Sequence, residues 1–584
     1  MTHPVQPAAA VTGQPVARVD GRQKVTGAAR YAADNPIDGV LYAALVCSTV
    51  ARGTVERVDA SAAVKDNDVV RVIDDFGGVS LAFDPGKVAF FGQPVAIVVA
   101  KTLEAATHGA SVVTVRYTVA AQVSDIDSPQ AKPQPGQRQT DYTRGDPDAA
   151  MHDADVVSDL RYSIVRYNHN PMELPSTIAS WDGDRLTVWD KAQGINSAQA
   201  AYGKAFGIPA DTVRVICPFI GGAFGSAGGT WPHQILAAFA ARQVRRPVKL
   251  VLTRKQMYNG IGYRPASRQR LAIGADRAGA ITSIVHEGQT ESARYQLFED
   301  SITGPAKFLY NSPNMRSTYR VVPLDVNVGC PMRGPGATPG TFVLESGVDD
   351  LAHRLGLDPI ELRVRNQPDR DQTSNLPFST PRLADCLRQG AAAFGWSRRN
   401  PVPRSVREGR EGNELIGIGV AAAGYHTNRS EADAKVRING DGTADVFSAT
   451  CDMGPGTYTS MTQVAADALG LPMQRIRFSL GDSAFPKAPS HSGSRTMASV
   501  GSAVFVASNT LRDKLIRTAV VDPGSPLSGA APQNVMVSSG RMYRTDDPAR
   551  GETYQDLLRR RGWPSLDTQQ TWTPDDADKR FSMY

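Results

Sequence analysis

Four turns in this chain carry the residue types that grip an anion. Phe219-Ile220-Gly221-Gly222-Ala223-Phe224-Gly225 ends a short apolar strand, and Met453-Gly454-Pro455-Gly456 occupies a matching place further on. Glycine lets main chain approach a ligand closely and reach backbone angles that other residues avoid. Two such turns suit a bulky anionic cofactor held by main-chain N–H groups. Met332-Arg333-Gly334-Pro335-Gly336 adds an arginine able to take phosphate or an oxo group bidentately. Ser490-His491-Ser492-Gly493-Ser494-Arg495-Thr496 offers hydroxyls, glycine amides and an arginine suited to phosphate oxygens. Taken singly, each also reads as a structural turn, a solvated surface turn or a disordered Ser/Gly loop.

Other chemistries lack their signatures. There is no G-x-S-x-G elbow, no Walker sequence and no G-x-G-x-x-G placed after a strand. The nine histidines show no i,i+4 metal spacing. The five cysteines, Cys47, Cys217, Cys330, Cys386 and Cys451, form no C-x-x-C pair. This chain is therefore expected to hold no iron–sulfur cluster and no protein-ligated metal.

The elements that must position these turns follow from pattern. A first unit has Val88–Phe91, a strand Val95–Ala100, a helix capped by Thr102 and running to about His108, and a strand Val112–Val119. Ser128–Asp148, rich in Pro, Gln, Gly and Asp, reads as a linker. In the second unit Trp181-Asp182-Gly183-Asp184 is a hairpin turn, and a helix over Ser197–Phe206 stops at Gly207-Ile208-Pro209. A strand Val213–Ile216, a helix Gln234–Val244, a strand Val248–Leu252 and an amphipathic helix Phe342–Arg354 follow. The third unit echoes the second: a hairpin at Gly440-Asp441-Gly442, a helix Thr459–Leu469 stopped by Gly470-Leu471-Pro472, and a strand Ile476–Leu480. Gln193 to Gly207 spans fourteen positions, as does Gly456 to Gly470. We read an internal duplication, whose equivalent loops would line a cleft.

The 584 residues suffice for several domains, and 41% hydrophobic with 21% charged residues is ordinary for a globular protein. A net charge of +6 is too small for this length to argue for nucleic acid, and part of it sits in the linker Trp396–Asn413, with five Arg and two Glu. No apolar run reaches membrane-span length, and the first residues lack a signal core. The expected location is cytoplasmic, with export alongside a signal-bearing partner as the alternative.

Read together, these segments resemble the large, molybdenum-cofactor-binding subunit of the aldehyde oxidase/xanthine dehydrogenase family, of the separate-subunit bacterial type. The resemblance begins at Arg18-Val-Asp-Gly21 and Lys24-Val-Thr-Gly-Ala-Ala-Arg-Tyr31, and continues through Gly92-Gln93-Pro94-Val95-Ala96. It then takes in Asn170-Pro171-Met172-Glu173, Gln193, the Gly221–Gly225 turn, Arg246-Pro247-Val248-Lys249, Arg333-Gly334-Pro335-Gly336, Asp358-Pro359 and Asn366. It implies a multidomain α+β fold. A hammerhead α/β domain (15–127) and a linker (128–150) precede a first molybdopterin-binding domain (151–395). A second linker (396–414) leads to a related, incomplete second domain (415–584).

The same resemblance implies a molybdenum ion held by a pterin dithiolene, with oxo, hydroxo and sulfido ligands and none from protein, the pterin being of the cytosine dinucleotide form. Gln193 would hydrogen-bond a molybdenum ligand. Gly222, Ala223, Phe224 and Gly225 would lie beside the metal centre, and Arg333 near it. Met453, Gly454 and Pro455 would form the second-domain cofactor loop, Thr496 and Met497 would contact the pterin dinucleotide, and His426 would face the substrate pocket. Aldehydes or related carbons would be oxidised with water-derived oxygen, and electrons would leave through a [2Fe–2S] small subunit and an FAD-binding subunit. Neither nucleic acid nor membrane is an expected partner.

Two departures stand out. The family turn reads Gly-Gly-Gly-Phe-Gly, and Ala223 replaces its third glycine, so its methyl is expected either to crowd the backbone or to demand φ < 0. In relatives the equivalent of Phe581-Ser582-Met583-Tyr584 opens a strand leading to a glutamate after a Gly-x-Gly, the family's base. That glutamate would lie beyond Tyr584, so the catalytic residue is unassigned and the chain alone is expected to be truncated and inactive. The alternative is a non-catalytic remnant that binds cofactor or partner subunits only.

Overall fold

The computed structural model describes residues 10–575. Phe581–Tyr584, where a strand was expected to open, lie outside them. Two compact units divide the chain: residues 10–121, 169–262 and 428–575 form one, and residues 122–168 and 263–427 the other.

The first unit contains a seven-stranded sheet. Its order is Val213–Ile216, Arg185–Asp190, Ser176–Asp182, Val248–Val251, Leu41–Cys47, Pro94–Ala100 and Val69–Ile73. Pro94–Ala100 is buried throughout, as its unbroken apolar run requires of a central strand. Thr102 caps the helix Leu103–Val112 by accepting the Ala105 N–H, and this helix runs one turn beyond the expected His108.

A second, four-stranded sheet in this unit has the order Ile476–Ser479, Ala444–Phe447, Ala432–Asn439 and Ser565–Trp572. Its topology repeats that of the first four strands above. In each, an antiparallel hairpin is flanked by a parallel strand on one side and an antiparallel strand on the other. The helices Ile195–Phe206 and Thr457–Leu469 stop at Gly207 and Gly470, both with φ 65°, whose N–H groups close the last carbonyls. The duplication read from spacing is thus a duplicated β-β-α-β unit. The repeats meet where Cys217 N–H donates to Gly481 O at 2.6 Å and Ser483 N–H donates to Val215 O at 3.0 Å.

The other unit is built on a six-stranded sheet in which Val156–Ile164, Ser267–Ala275, Ile281–Ala293 and Asn314–Leu324 are the long members. The helix Ala337–Leu355 packs Val343, Leu344, Val348 and Leu351 onto Leu271, Ile273 and Ile284. It begins five residues before the expected Phe342. Pro339 sits in the first turn, where no N–H bond is lost, and Gly340 leaves room for Ile302 O, 2.2 Å from where a Cβ would stand. Within the expected linker 128–150, Gln134–Pro135 and Tyr142–Arg144 pair with Asn314–Leu324, and the helix Pro147–His152 follows. No alternating pattern marks these short strands; the long strand selects them. The segment 396–414 carries a short turn at Trp396–Arg398 and a two-residue strand Arg407–Glu408 paired with Glu414–Leu415.

Candidate functional site

Strand Val213–Ile216 delivers the chain to the first glycine turn. Glu173 fixes its near end: Gly221 N–H donates to Glu173 Oε2 at 2.7 Å, and Glu173 N–H returns to Gly221 O at 3.1 Å. A Cβ on Gly221 would stand 2.6 Å from Glu173 Cβ, so only glycine fits. Positive φ falls on Gly222 (85°), Phe224 (58°) and Gly225 (115°), and not on Ala223. Of the two outcomes expected for Ala223, the structure has the second: it takes no positive φ. Its methyl is buried, and its carbonyl accepts Ser226 N–H at 3.0 Å and Ser226 Oγ at 2.7 Å. The N–H groups of Gly222, Ala223 and Phe224 donate to no acceptor among the described residues. The strained Phe224 leaves its ring 43% exposed.

Gln193 staples the far end of this turn. Its side chain is buried; Oε1 accepts Gly225 N–H at 3.0 Å and Nε2 donates to His491 O at 3.0 Å. Its carbonyl accepts His491 N–H at 2.7 Å and Cys451 Sγ at 3.3 Å. Because a carbonyl only accepts, the 2.9 Å contact of His491 Nδ1 with Cys451 O puts a proton on Nδ1. Burial lowers the His491 pKa, which favours the neutral ring.

The second glycine turn is organised by Asp452, which is fully buried. Its Oδ1 accepts Gly454 N–H at 2.8 Å and Gly456 N–H at 3.4 Å, and its carbonyl accepts Ile220 N–H at 3.2 Å, joining the two turns. Gly454 (φ 119°) and Gly456 (φ 103°) take angles that suit glycine alone, and nothing lies within 4 Å of a Cβ on Gly454. Met453 is half-buried, while Gly454 and Pro455 are exposed.

The Ser490–Thr496 loop is ordered by specific bonds. Asn428 donates to Gly493 O from its main chain at 3.1 Å and from Nδ2 at 2.8 Å, and Arg495 Nε donates to Ser492 O at 3.1 Å. The Thr496 hydroxyl is buried without a hydrogen-bond partner among the described residues. Met497 is 47% exposed and opens the π-helical turn Met497–Gly501, which continues into the helix Ser502–Val521.

The unit formed by residues 122–168 and 263–427 holds the other two expected residues. Arg333 is exposed, with its carbonyl gripped by Arg264 Nη2 at 2.6 Å and Thr338 Oγ1 at 3.2 Å. Gly336 (φ 66°) passes so close to Ser301 that a Cβ would stand 2.5 Å from its carbonyl oxygen. The His426 ring lies 5.8 Å from that of Phe308, and desolvation lowers its pKa.

Sequence reasoning gave no role to Glu173, Lys191, Asp452 or His491. Lys191 Nζ donates to Glu173 O at 2.5 Å and stands 3.6 Å from its Oε2. Burial outweighs their attraction: the lysine pKa is lowered to about 8, and that of Glu173 is raised. Two of them carried a sequence signal, Glu173 through its place in Asn170–Glu173 and His491 through its place in the Ser490–Thr496 loop.

This donor set fits an oxyanion-rich cofactor. It joins three unengaged main-chain N–H groups, a buried hydroxyl awaiting a partner and Arg495 at the start of a long helix. Among the described residues no group of three His, Cys, Asp or Glu could hold a metal ion, and no helix is long and apolar enough to cross a membrane.

Comparison with known proteins agrees. The family model for the aldehyde oxidase and xanthine dehydrogenase a/b hammerhead domain matches residues 26–121, and that for a molybdopterin cofactor-binding domain matches 131–367. A second molybdopterin cofactor-binding model matches 389–584. The aldehyde oxidoreductase molybdenum-binding subunit PaoC of Escherichia coli K12 is 36% identical over 527 residues, covering 88% of this chain and 71% of that protein. The xanthine dehydrogenase molybdenum-binding subunit of Escherichia coli O157:H7 is 27% identical over 547 residues, covering 86% and 72%. The structure of quinoline 2-oxidoreductase from Pseudomonas putida 86 shares the fold, with a TM-score of 0.85 at 21% identity over 98% of this chain and 80% of that one. A hammerhead domain followed by two molybdopterin-binding domains, a glycine turn with free N–H groups and a relative at 36% identity lead to one conclusion: the chain belongs to the molybdenum-binding subunits of the aldehyde oxidoreductase/xanthine dehydrogenase family of oxidoreductases.

Proposed function

We propose that this subunit binds a molybdenum–molybdopterin cofactor in its cytosine dinucleotide form. It serves the oxidation of aldehydes or related carbons with water-derived oxygen, and passes electrons to [2Fe–2S] and FAD partner subunits in the cytoplasm. When bound, the pterin-held molybdenum supplies the two-electron redox chemistry. The observation carrying this reading is the Gln193 amide, bonded at once to Gly225 N–H and His491 O, which fixes the first glycine turn to the Ser490–Thr496 loop.

The chain's own residues divide the work. Gly222, Ala223 and Phe224 present N–H groups to the cofactor, and Gln193 has a second amide hydrogen beyond the one His491 takes. Met453, Gly454 and Pro455 form the opposing loop. Thr496 gives its hydroxyl and Met497 its exposed side chain to the dinucleotide. Arg333 supplies positive charge near the metal, and His426 faces substrate. Glu173 is engaged by Gly221 N–H and Lys191, so we assign it to holding the turn and not to proton abstraction.

The test is expression of the chain in a host that makes the cytosine dinucleotide cofactor. Molybdenum and CMP are quantified after cofactor hydrolysis, and aldehyde oxidation is assayed beside partner subunits. Near-stoichiometric molybdenum with equimolar CMP supports the reading; a chain that folds and carries neither overturns it.

A further inference from the structure

Residues 11–24 run along a helix that lies more than 430 positions away in sequence. Val11 N–H and Thr12 N–H donate to the two Asp467 carboxylate oxygens, each at 2.9 Å. Gln463 Nε2 donates to Val11 O at 2.6 Å and to Gln14 O at 3.1 Å, and Thr459 Oγ1 accepts Val19 N–H at 3.1 Å. Thr459, Gln463 and Asp467 recur every four residues, so they share one face of the helix Thr457–Leu469. The segment ends on the second glycine turn. Arg18 Nη2 donates to Gly454 O at 2.7 Å, with the guanidinium 3.5 Å from where a Gly456 Cβ would be. Lys24 Nζ lies 2.5 Å from Asp20 and 3.7 Å from Asp452 Oδ2, while Asp452 Oδ1 holds the Gly454 and Gly456 amides.

The attachment is polar. Val16 and Val19 are 36% and 47% exposed, so few apolar groups anchor the segment between its hydrogen bonds. A stretch held this way opens at lower cost than the core beneath it. Its grip also falls on a turn with two positive-φ glycines, Gly454 and Gly456, where nothing lies within 4 Å of a Cβ on Gly454.

We propose that residues 11–24 are a strap, and that Arg18 and Lys24 are positioning residues that hold the Met453–Gly456 turn in its cofactor-receiving shape. The link to cofactor rests on the function proposed above; the strap itself does not.

The test is hydrogen–deuterium exchange of the full chain, read at the Gly454 and Gly456 amides, with molybdenum content measured in parallel. Arg18→Met should speed exchange at these amides by about tenfold, the equivalent of one charge-assisted hydrogen bond. Melting should move by no more than about 2 °C, and Arg18→Lys should restore part of the protection. The triple variant Thr459→Val/Gln463→Ala/Asp467→Ala removes the helix side-chain hydrogen bonds to the strap without touching the turn, and should speed exchange at the same two amides. Molybdenum content should fall in both. Unchanged exchange in both variants overturns the strap. Faster exchange with full molybdenum overturns its role toward cofactor. A parent chain that carries no molybdenum overturns the proposed function and leaves the strap standing.

Discussion

Gln193 and His491, almost three hundred residues apart, hold each other twice: His491 N–H donates to Gln193 O at 2.7 Å, and Gln193 Nε2 donates to His491 O at 3.0 Å. A side-chain amide completes what would otherwise be half of a strand pairing. The same amide accepts Gly225 N–H, so one residue spans both repeats at the proposed cofactor site.

Replacing it should therefore disturb two loops together. Gln193→Ala removes the partner of Gly225 N–H and of His491 O, at about 1 kcal/mol for each half-buried group. Gln193→Glu keeps the acceptor for Gly225 and loses the donor to His491, setting a carboxylate against a carbonyl. Thermal melts should fall in both variants, with molybdenum retention after desalting reduced in step. Full retention in Gln193→Glu would remove the staple from the account.

Thr496 predicts the opposite trade. Its buried hydroxyl has no partner among the described residues, and valine has nearly the same shape without that unmet cost. Thr496→Val should stabilise the cofactor-free chain by about 1 kcal/mol and weaken cofactor retention. A variant gaining stability with unchanged retention would show that the hydroxyl meets no ligand.

Gly481 tests the seam between the repeats. At φ 79°, a Cβ there would stand 2.2 Å from Cys217 O, whereas Gly529 at φ 76° has nothing within 4 Å. Gly529→Ala should cost about 1–2 kcal/mol, the left-handed penalty alone. Gly481→Ala should cost about 3 kcal/mol or more, because the bridge itself must part. Equal urea midpoints for the two variants would mean that the bridge contributes little.

Two buried histidines set an acid limit, one in each unit. Burial lowers the pKa of His233 and of His286 from 6.5 to about 3. Between pH 6.5 and about 3 the unfolded chain takes up protons that the folded chain refuses, so stability is lost as pH falls through that window. Each contributes at most about 1.4 kcal/mol per pH unit. His286→Gln, which keeps a donor for Gln269 Oε1, should flatten its share of the slope. An unchanged slope in urea melts from pH 7 to 4 would refute the assignment.

Local signals were read correctly where local chemistry decides. The Gly207 and Gly470 stops, the Thr102 cap and the hairpins at Gly183 and Gly442 all follow from residues within a few positions of each other. The helix Ala337–Leu355 starts before the expected Phe342 because a first turn tolerates Pro339 and Gly340, residues that a helix interior disfavours. The strands Gln134–Pro135 and Tyr142–Arg144 exist only through Asn314–Leu324. At the site, glycine turns announce themselves, but Asp452, His491 and the Lys191–Glu173 pair depend on partners brought from far along the chain. Which of the two expected outcomes Ala223 takes is settled by the turn's positive φ values falling on its neighbours, which no motif reveals.

The division of the chain carries a consequence for its synthesis. Residues 122–168 and 263–427 are complete once residue 427 has left the ribosome, whereas the unit containing both glycine turns still lacks residues 428–575. Gln193 then waits for His491, and Ile220 for Asp452, each more than two hundred residues further along the chain. The nascent polypeptide thus adds more than two hundred residues while the first turn is still unstapled.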